Sequence, residues 1–355
     1  MTVDLTTYYG RLKLKSPLVV GACPLTGDEQ MRLAMEAAGA AAIVMPSLFQ
    51  EQVILWNKKN GTSLNEAEQR VLERSTRSHV ESFCDDADTY LSVVNRASVL
   101  SSIPIIASLN GEVDGKWLDF AGELQETGAS AIELNIKLSP PSEFESPREL
   151  EDKIVELVCT IGQSVTVPVY VKLSKEFTSL SHLSRRLLSG AQGLVLFARS
   201  PDVDICLDSL KLKTTWELTP SGSVSHLLHS VMRIHSYCPA MPLAVCGGIG
   251  NASHALKALL AGADVAMVTS AIYREGPGVI ETMVDGIEHF MEQRGWKTIA
   301  DLYAARPLEF TTEDERLDYV RSLASRPKRN PNEETDRAPM APQSGDRWGH
   351  PRTTL

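Results

Sequence analysis

The feature that most constrains this chain is an alternation of two kinds of short apolar segment. Four segments follow a Gly-Ala pair, four follow a proline, and the two kinds alternate along the sequence. The markers, in chain order, are Pro17, Gly39-Ala40, Pro104, Gly128-Ala129, Pro168, Gly190-Ala191, Pro242 and Gly262-Ala263. Glycine ends a helix because it adopts the left-handed conformation without steric cost, and proline is tolerated at the first residue of a strand. The pattern therefore predicts eight buried strands separated by helices.

Eight strand-helix repeats are typical of an α/β protein of the closed (β/α)8 or TIM barrel type. An open doubly wound sheet is the alternative, but the even repetition favours closure. The intervals after strands two, four and six are longer than the others, which predicts long loops at the barrel face that carries active sites. Residues 2–16 are interpreted as an N-terminal hairpin that plugs the opposite end.

The chain is predicted to have one folded domain, the barrel at residues 1–325, followed by a tail at residues 326–355. The tail is rich in proline and charge and poor in aliphatic residues, which predicts disorder. A processing segment or a partner-binding peptide is the alternative interpretation of that tail.

Charge and cysteine content narrow the functional class. The formal net charge is −10, so the chain has no general basic field for nucleic acid, and a small-molecule substrate must be held by a local site. The six cysteines lack the paired spacing of zinc sites and disulfide scaffolds, which indicates a reducing compartment. The N-terminus lacks a secretory signal pattern, and no apolar run is long enough to span a membrane. We therefore expect a cytoplasmic protein with no metal and no membrane partner.

A glycine-rich turn after the seventh strand predicts a phosphate site. Gly247 and Gly248 precede a helix whose N-terminal amides carry partial positive charge, and this arrangement binds phosphates. Strand eight ends at Thr269 and Ser270, whose hydroxyls lie next to that turn in a closed barrel. Two tight turns that bind nothing are the alternative interpretation.

Polar residues at the ends of strands three, four and five predict the rest of the site. Lys172 ends strand five, where a buried amine requires an anion, an electron-rich ring or a Schiff-base substrate, unless it lies at the rim in solvent. Asn135 ends strand four with a carboxamide that suits the edge of a heterocycle, although an Asx turn explains it equally well. Asn110 gives the same signal after strand three, within a common turn dipeptide.

Glu133 is expected to contact the helical layer and is given no role. The histidines at positions 226, 229, 235 and 254 fall on predicted helices and are expected to be surface or satisfied core residues.

From about Leu14 to Gln293 the chain resembles the dihydroorotate dehydrogenase family of FMN-containing (β/α)8 barrels, and within it a divergent dihydroorotate dehydrogenase-like branch. The segment CGGIGNASHALKALLAGADVAMVTSAIYREGPGVI is similar to the family's FMN-phosphate segment. IELNI, VPVYVKL and PLVVGACP resemble the segments of strands four, five and one that line the flavin. The resemblance implies an FMN-binding barrel whose cofactor contacts are Gly21, Ala22, Asn110, Asn135, Lys172, Gly247, Gly248, Thr269 and Ser270.

The chain departs from the family where the substrate is expected. The catalytic base position corresponds to Ser139 if one residue is inserted, and to Leu138 without the gap. The family's strand-two lysine is missing from Val44-Met45-Pro46-Ser47, and Arg199 stands near the position of a substrate-binding asparagine. The asparagine- and glycine-rich loop that grips orotate is not recognisable after strand two.

The resemblance implies an FMN-dependent oxidoreductase that oxidises dihydroorotate to orotate in pyrimidine biosynthesis, or acts on a related small acid. Ser139 and Lys172 are then the catalytic residues, Asn135 and Arg199 bind substrate, and the protein forms a homodimer. One alternative is a flavin-binding barrel without dehydrogenase turnover. Another is a phosphate-binding lyase that uses Lys172 as a Schiff base.

Overall fold

The computed structural model describes residues 3–75, 86–111, 120–136, 146–307 and 312–324. The strands are β1 Thr7–Tyr9, β2 Leu12–Leu14, β3 Leu18–Val20, β4 Ala42–Val44, β5 Leu48–Phe49, β6 Ile105–Gly111, β7 Ala131–Ile136, β8 Val169–Leu173, β9 Gly193–Leu196, β10 Asp202–Cys206, β11 Lys211–Thr215, β12 Leu243–Cys246 and β13 Val265–Val268. The α-helices are α1 Glu29–Ala37, α2 Gln50–Lys59, α3 Glu66–Ser75, α4 Ala87–Leu100, α5 Phe120–Glu126, α6 Pro147–Ser164, α7 Leu180–Leu187, α8 Ser225–Tyr237, α9 Ala252–Leu260, α10 Ser270–Glu275, α11 Val279–Glu292, α12 Ile299–Ala304 and α13 Thr312–Ala324. A short 3-10 helix spans Pro24–Gly27.

Eight parallel strands close into a barrel, as the alternating pattern predicts. The ring runs β3, β4, β6, β7, β8, β9, β12, β13 and back to β3, and the β4–β6 pairing completes it. Each strand is a short apolar run because one face packs against the surrounding helices and the other fills the barrel. Alternation within a strand separates the two layers: Leu18 and Val20 belong to the outer core, whereas Val19 belongs to the inner core.

The N-terminal hairpin closes the amino end of the barrel, as predicted. β1 pairs with β2 in antiparallel register, and the buried ring of Tyr9 stacks on Tyr170 with centroids 4.1 Å apart. The Tyr170 hydroxyl donates to the Tyr9 carbonyl at 2.7 Å, and the Tyr9 hydroxyl donates to the Leu194 carbonyl at 3.1 Å. A Cβ on Gly193, at the start of β9, would lie 2.8 Å from the Tyr9 ring, so the seal also depends on a glycine.

The long connections lie where the intervals predict them. Between β4 and β6 the chain forms β5, α2 and α3 before α4, and after β9 it forms the antiparallel hairpin of β10 and β11. The residues after β7, numbers 137–145, lie outside the described part of the chain.

The chain divides into two compact units, Met1–Glu309 and Phe310–Leu355. The barrel lies in the first unit, and α13 lies in the second. The predicted boundary between residues 325 and 326 stays a prediction, because residues 325–355 lie outside the described residues. Among the helices described, none is long and apolar enough to cross a membrane.

Candidate cofactor site and active site

Three predicted site residues form one polar row at the carboxyl end of the barrel. Asn110 on β6 is in register with Asn135 on β7, which is in register with Lys172 on β8. Neighbouring strands lie about 4.8 Å apart, so the three residues occupy adjacent positions. They share the inward face because each lies two or four residues beyond an inner-core residue of its own strand, namely Ile106, Ala131 and Tyr170. The row presents two carboxamides and an ammonium group to the barrel mouth.

Lys172 forms a buried ion pair that the sequence analysis did not anticipate. Its Nζ donates to Glu133 Oε1 at 3.1 Å, and the two residues are 6% and 1% exposed. Burial alone lowers the pKa of this amine, but the Glu133 carboxylate more than compensates and the net pKa is raised to about 12. Lys172 is therefore an ammonium ion at neutral pH.

The expectation that Glu133 contacts the helical layer is wrong. Leu134 belongs to the outer core, whereas Glu133 points into the barrel and meets Lys172. Alternation along β7 places Glu133 on the same face as Asn135, two residues away. The sequence contains this signal, because residues two apart on a strand share one face and Asn135 was a candidate site residue.

The glycine turn after β12 has the conformation of a ligand cradle. Gly247 and Gly248 have φ values of +116° and +74°, in the left-handed region that favours glycine. A Cβ on Gly248 would lie 2.5 Å from the Ser223 hydroxyl oxygen and would also collide with the Val224 amide nitrogen. The Asn251 side chain caps α9 by accepting from the His254 amide at 3.0 Å. The backbone at this turn thus faces a second segment with no side chain between them.

That second segment, Ser221-Gly222-Ser223, is a site element that the sequence analysis missed. Its Gly222 amide donates to the Gly248 carbonyl at 3.0 Å, and it leads directly into α8. Two helix N-termini, those of α8 and α9, therefore meet at one place and present partial positive charge there. The sequence contained a signal for this element: a Ser-Gly-Ser run immediately before a predicted helix. Such a run resembles the glycine turn after β12, which also precedes a helix.

Thr269 lies beside Gly21, and the sulfur of Cys246, the residue before the glycine turn, borders the same glycine. The Thr269 Oγ1 is buried and has no hydrogen-bond partner among the described residues. A Cβ on Gly21 would lie 2.7 Å from that oxygen, so only glycine fits beside the hydroxyl. Ser270 follows as the first residue of α10, and Ala22 packs beside the inner core. An unpaired buried hydroxyl is costly, and it indicates a missing partner.

His254 stabilises the glycine turn through a hydrogen bond to its backbone. Its ring Nδ1 accepts from the Gly250 amide at 3.2 Å, and burial lowers the pKa of the imidazole. A neutral ring is required for this contact, because only an unprotonated nitrogen accepts. His254 is thus a satisfied structural histidine, as expected.

Two further predicted site residues are the substrate contact Arg199 and the catalytic residue Ser139. Arg199 lies at the base of the β10–β11 hairpin, 3.7 Å from the Asp202 carboxylate and with its guanidinium 6.0 Å from the Trp216 ring centroid. No contact among the described residues joins Arg199 to the polar row. Ser139 lies outside the described residues. Near the missing strand-two lysine, the Ser47 and Ser108 hydroxyls form a hydrogen bond of 2.8 Å.

Comparison with known proteins gives one matching family model and relatives with more than one printed enzyme name. The relatives include dihydroorotate dehydrogenases and, at 22% identity over 212 residues, an NAD-dependent dihydropyrimidine dehydrogenase subunit of Escherichia coli. Residues 65–291, more than half of the chain, match the family model for dihydroorotate dehydrogenase. An Aeropyrum pernix protein whose name assigns it to dihydroorotate dehydrogenase A (fumarate) is 29% identical over 215 residues, which is 58% of this chain and 69% of that protein. The dihydroorotate dehydrogenase B (NAD(+)) catalytic subunit of Endomicrobium trichonymphae is 28% identical over 212 residues, 56% of this chain and 65% of its own length.

Another relative covers most of both chains. The dihydroorotate dehydrogenase B (NAD(+)) catalytic subunit of Thermoplasma acidophilum is 21% identical over 307 residues, 84% of this chain and 97% of its own length. The closed barrel and its N-terminal hairpin agree with the matched family. This chain therefore belongs to the dihydroorotate dehydrogenase family, an FMN-dependent family of dehydrogenases.

Proposed function

We propose that the chain binds FMN and acts as a dehydrogenase on a small cyclic acid. The observation that carries the proposal is the unpaired Thr269 hydroxyl, which is buried beside Gly21. A phosphate group would supply acceptor oxygens to this hydroxyl and to backbone amides of the glycine turn. The polar row then lies where a flavin ring requires donors and acceptors along one edge.

In the proposed complex, each part of the site has a separate task. Gly247, Gly248, Thr269 and Ser270 hold the phosphate, and Gly21 and Ala22 let the first strand approach the ring. Asn110, Asn135 and Lys172 contact the ring edge, where the ammonium group stabilises negative charge. When bound, FMN would accept the hydride, which carries the two electrons that the substrate loses.

For the substrate we propose dihydroorotate, which would place the enzyme in pyrimidine biosynthesis. The proposal rests on the family and on the printed names of the relatives. Oxidation to orotate releases a hydride and one proton, and Ser139 Oγ is the proposed acceptor of that proton. Asn135 and Arg199 are the proposed contacts of the substrate. A cytoplasmic location, predicted from the unpaired cysteines of the sequence, stays a prediction.

The structure argues against the lyase alternative. A Schiff base forms only from an unprotonated amine, whereas Glu133 raises the pKa of Lys172 to about 12. The flavin-binding barrel without turnover is favoured by Ser47, which stands near the position of the family's lysine and is hydrogen-bonded to Ser108.

The absorption spectrum of the purified protein tests the proposal and separates it from this alternative. We expect a flavin spectrum with one FMN per chain, and bleaching when dihydroorotate is added under anaerobic conditions. Retained FMN whose spectrum is unchanged by dihydroorotate and related acids would support the barrel without turnover. A folded protein that is colourless and takes up no FMN would overturn both.

We further propose that the β10–β11 hairpin forms the contact of a homodimer. Its apolar face carries Val203, Ile205 and Leu212, which are 60%, 57% and 69% exposed. An exposed apolar face of this kind marks an interaction surface. Edge-to-edge pairing of two copies is disfavoured, because β10 carries two aspartates and β11 two lysines, so symmetric edges meet with like charges. The two copies are therefore expected to pack face to face.

Two substitutions of adjacent residues test the dimer. Ile205→Asn places an amide on the apolar face and is expected to convert the dimer to a monomer, as measured by light scattering after size-exclusion chromatography. Asp204→Asn introduces the same side chain on the opposite face and is expected to leave the mass unchanged. A wild-type monomer at tens of micromolar, or a dimer that survives both changes, would contradict this assignment.

A further inference from the structure

Glu133 is a buried carboxylate to which the proposed function gives no task. Its Oε1 accepts the single bond from Lys172, and its Oε2 is buried with no donor among the described residues. Burying an ion pair carries a large desolvation cost, and well-packed apolar residues in its place are often as stable or more so. A pair satisfied on one side only is therefore poorly explained by stability.

The strand register separates Glu133 from the barrel mouth. Lys172 is in register with Asn135 in the polar row, whereas Glu133 is in register with Tyr170, one inward position deeper. The Lys172 Nζ nevertheless lies 3.1 Å from Glu133 Oε1, so the ion pair joins these two successive layers of the barrel interior.

We propose that Glu133 is a positioning residue that sets how much positive charge Lys172 presents to the bound flavin. The carboxylate holds the amine in its protonated form and cancels part of its field. The ligand and Glu133 then compete for one ammonium group. This inference rests on the proposed binding of FMN, and it assigns the tuning of that cofactor to an ion pair inside the barrel.

The sign of the effect follows from electrostatics. Positive charge near the ring stabilises the reduced flavin, which carries more negative charge than the oxidised form. Glu133→Gln removes the opposing charge while keeping the shape, so the midpoint potential is expected to rise. Lys172→Met removes the positive charge and is expected to lower it.

Midpoint potentials of the FMN-loaded protein at pH 7 provide the first test. We expect Glu133→Gln to change the reduction equilibrium at least tenfold, which for a two-electron couple corresponds to about 30 mV. Glu133→Asp keeps the charge but moves it away from the amine, so a smaller positive shift is expected. Glu151→Gln removes another buried glutamate, which pairs with Arg186 on the helical layer, and is expected to leave the potential unchanged.

Acylation of Lys172 by an amine-reactive reagent provides a second test that needs no cofactor. Without the carboxylate, burial lowers the lysine's pKa and the reactive neutral amine becomes more abundant. Glu133→Gln is therefore expected to speed modification of Lys172 in the FMN-free protein at least tenfold, relative to exposed Lys257 in the same sample.

The outcomes distinguish this inference from the proposed function. If wild-type protein binds no FMN, the proposed function fails, and the acylation rate alone decides whether Glu133 controls the lysine. If Glu133→Gln and Glu133→Asp leave both the potential and the acylation rate at wild-type values, the inference is overturned. If one of these two Glu133 variants does not fold, the other is compared with the wild type in its place.

Discussion

Gly248→Ala is expected to abolish the retention of FMN while leaving a folded barrel. The new Cβ would press against Ser223 and the Val224 amide, at the place where the α8 and α9 N-termini meet. Separating the two segments removes charge-assisted hydrogen bonds to the phosphate, each contributing about 1.5–3 kcal/mol. Loss of two such bonds weakens binding by more than about a hundredfold. Fluorescence titration with FMN measures this loss directly.

Gly295→Ala is the matched control for that experiment. Gly295 has a φ of +70°, close to the +74° of Gly248, but an added Cβ there would meet nothing within 4 Å. Both variants therefore carry the same backbone strain of about 1–2 kcal/mol, and only one crowds the cradle. Wild-type FMN affinity in Gly248→Ala would show that the phosphate does not bind at this turn.

Lys172→Met is expected to destabilise the barrel by about 3–5 kcal/mol, because it leaves the Glu133 charge buried and unpaired. The double variant Glu133→Gln, Lys172→Met removes both charges and is expected to recover most of that loss. Urea unfolding of the two single variants, the double variant and the wild type completes a thermodynamic cycle. Equal stability of Lys172→Met and wild type would mean that the pair does not form in solution.

The same ion pair predicts how the free energy of unfolding depends on pH. The pKa of Lys172 is raised to about 12 in the folded protein, whereas the pKa of an unfolded lysine is ~10.4. The folded state therefore binds its proton more tightly, so the stabilisation is complete below about pH 10 and is lost as the pH rises toward 12. Comparing the wild type with the double variant cancels the titration of the buried tyrosines, and the difference in stability should shrink across this range.

The barrel could be predicted because its signals are local. A proline or a glycine next to a short apolar run marks one strand, and each mark depends on the conformational preference of a single residue, such as Pro168 before β8 or Gly262 before β13. Phosphate-binding turns are local too, since glycine conformation and a following helix suffice to predict one. The assignment of Asn110, Asn135 and Lys172 as contacts of the flavin ring depended on the resemblance to the family.

Contacts between distant segments were harder to predict. Ser221-Gly222-Ser223 becomes part of the cradle only because barrel closure brings the start of α8 against the turn after β12. The ion pair of Glu133 and Lys172 also joins two strands. The period-two alternation of β7 nevertheless predicts that the Glu133 side chain faces the barrel interior. The β10–β11 hairpin was signalled by alternating residues in DVDIC and KLKTT, which the analysis of the long interval did not separate into strands.

The stacked Tyr9 and Tyr170 rings have a kinetic consequence for the proposed enzyme. With the amino end of the barrel sealed, a molecule that reaches the row from Asn110 to Lys172 enters through the same opening by which the previous one left. An electron donor and a small diffusible oxidant would then occupy the pocket in turn. Alternating occupation of one pocket by the two substrates gives parallel lines in double-reciprocal plots of the steady-state rate. Parallel lines indicate a substituted-enzyme mechanism.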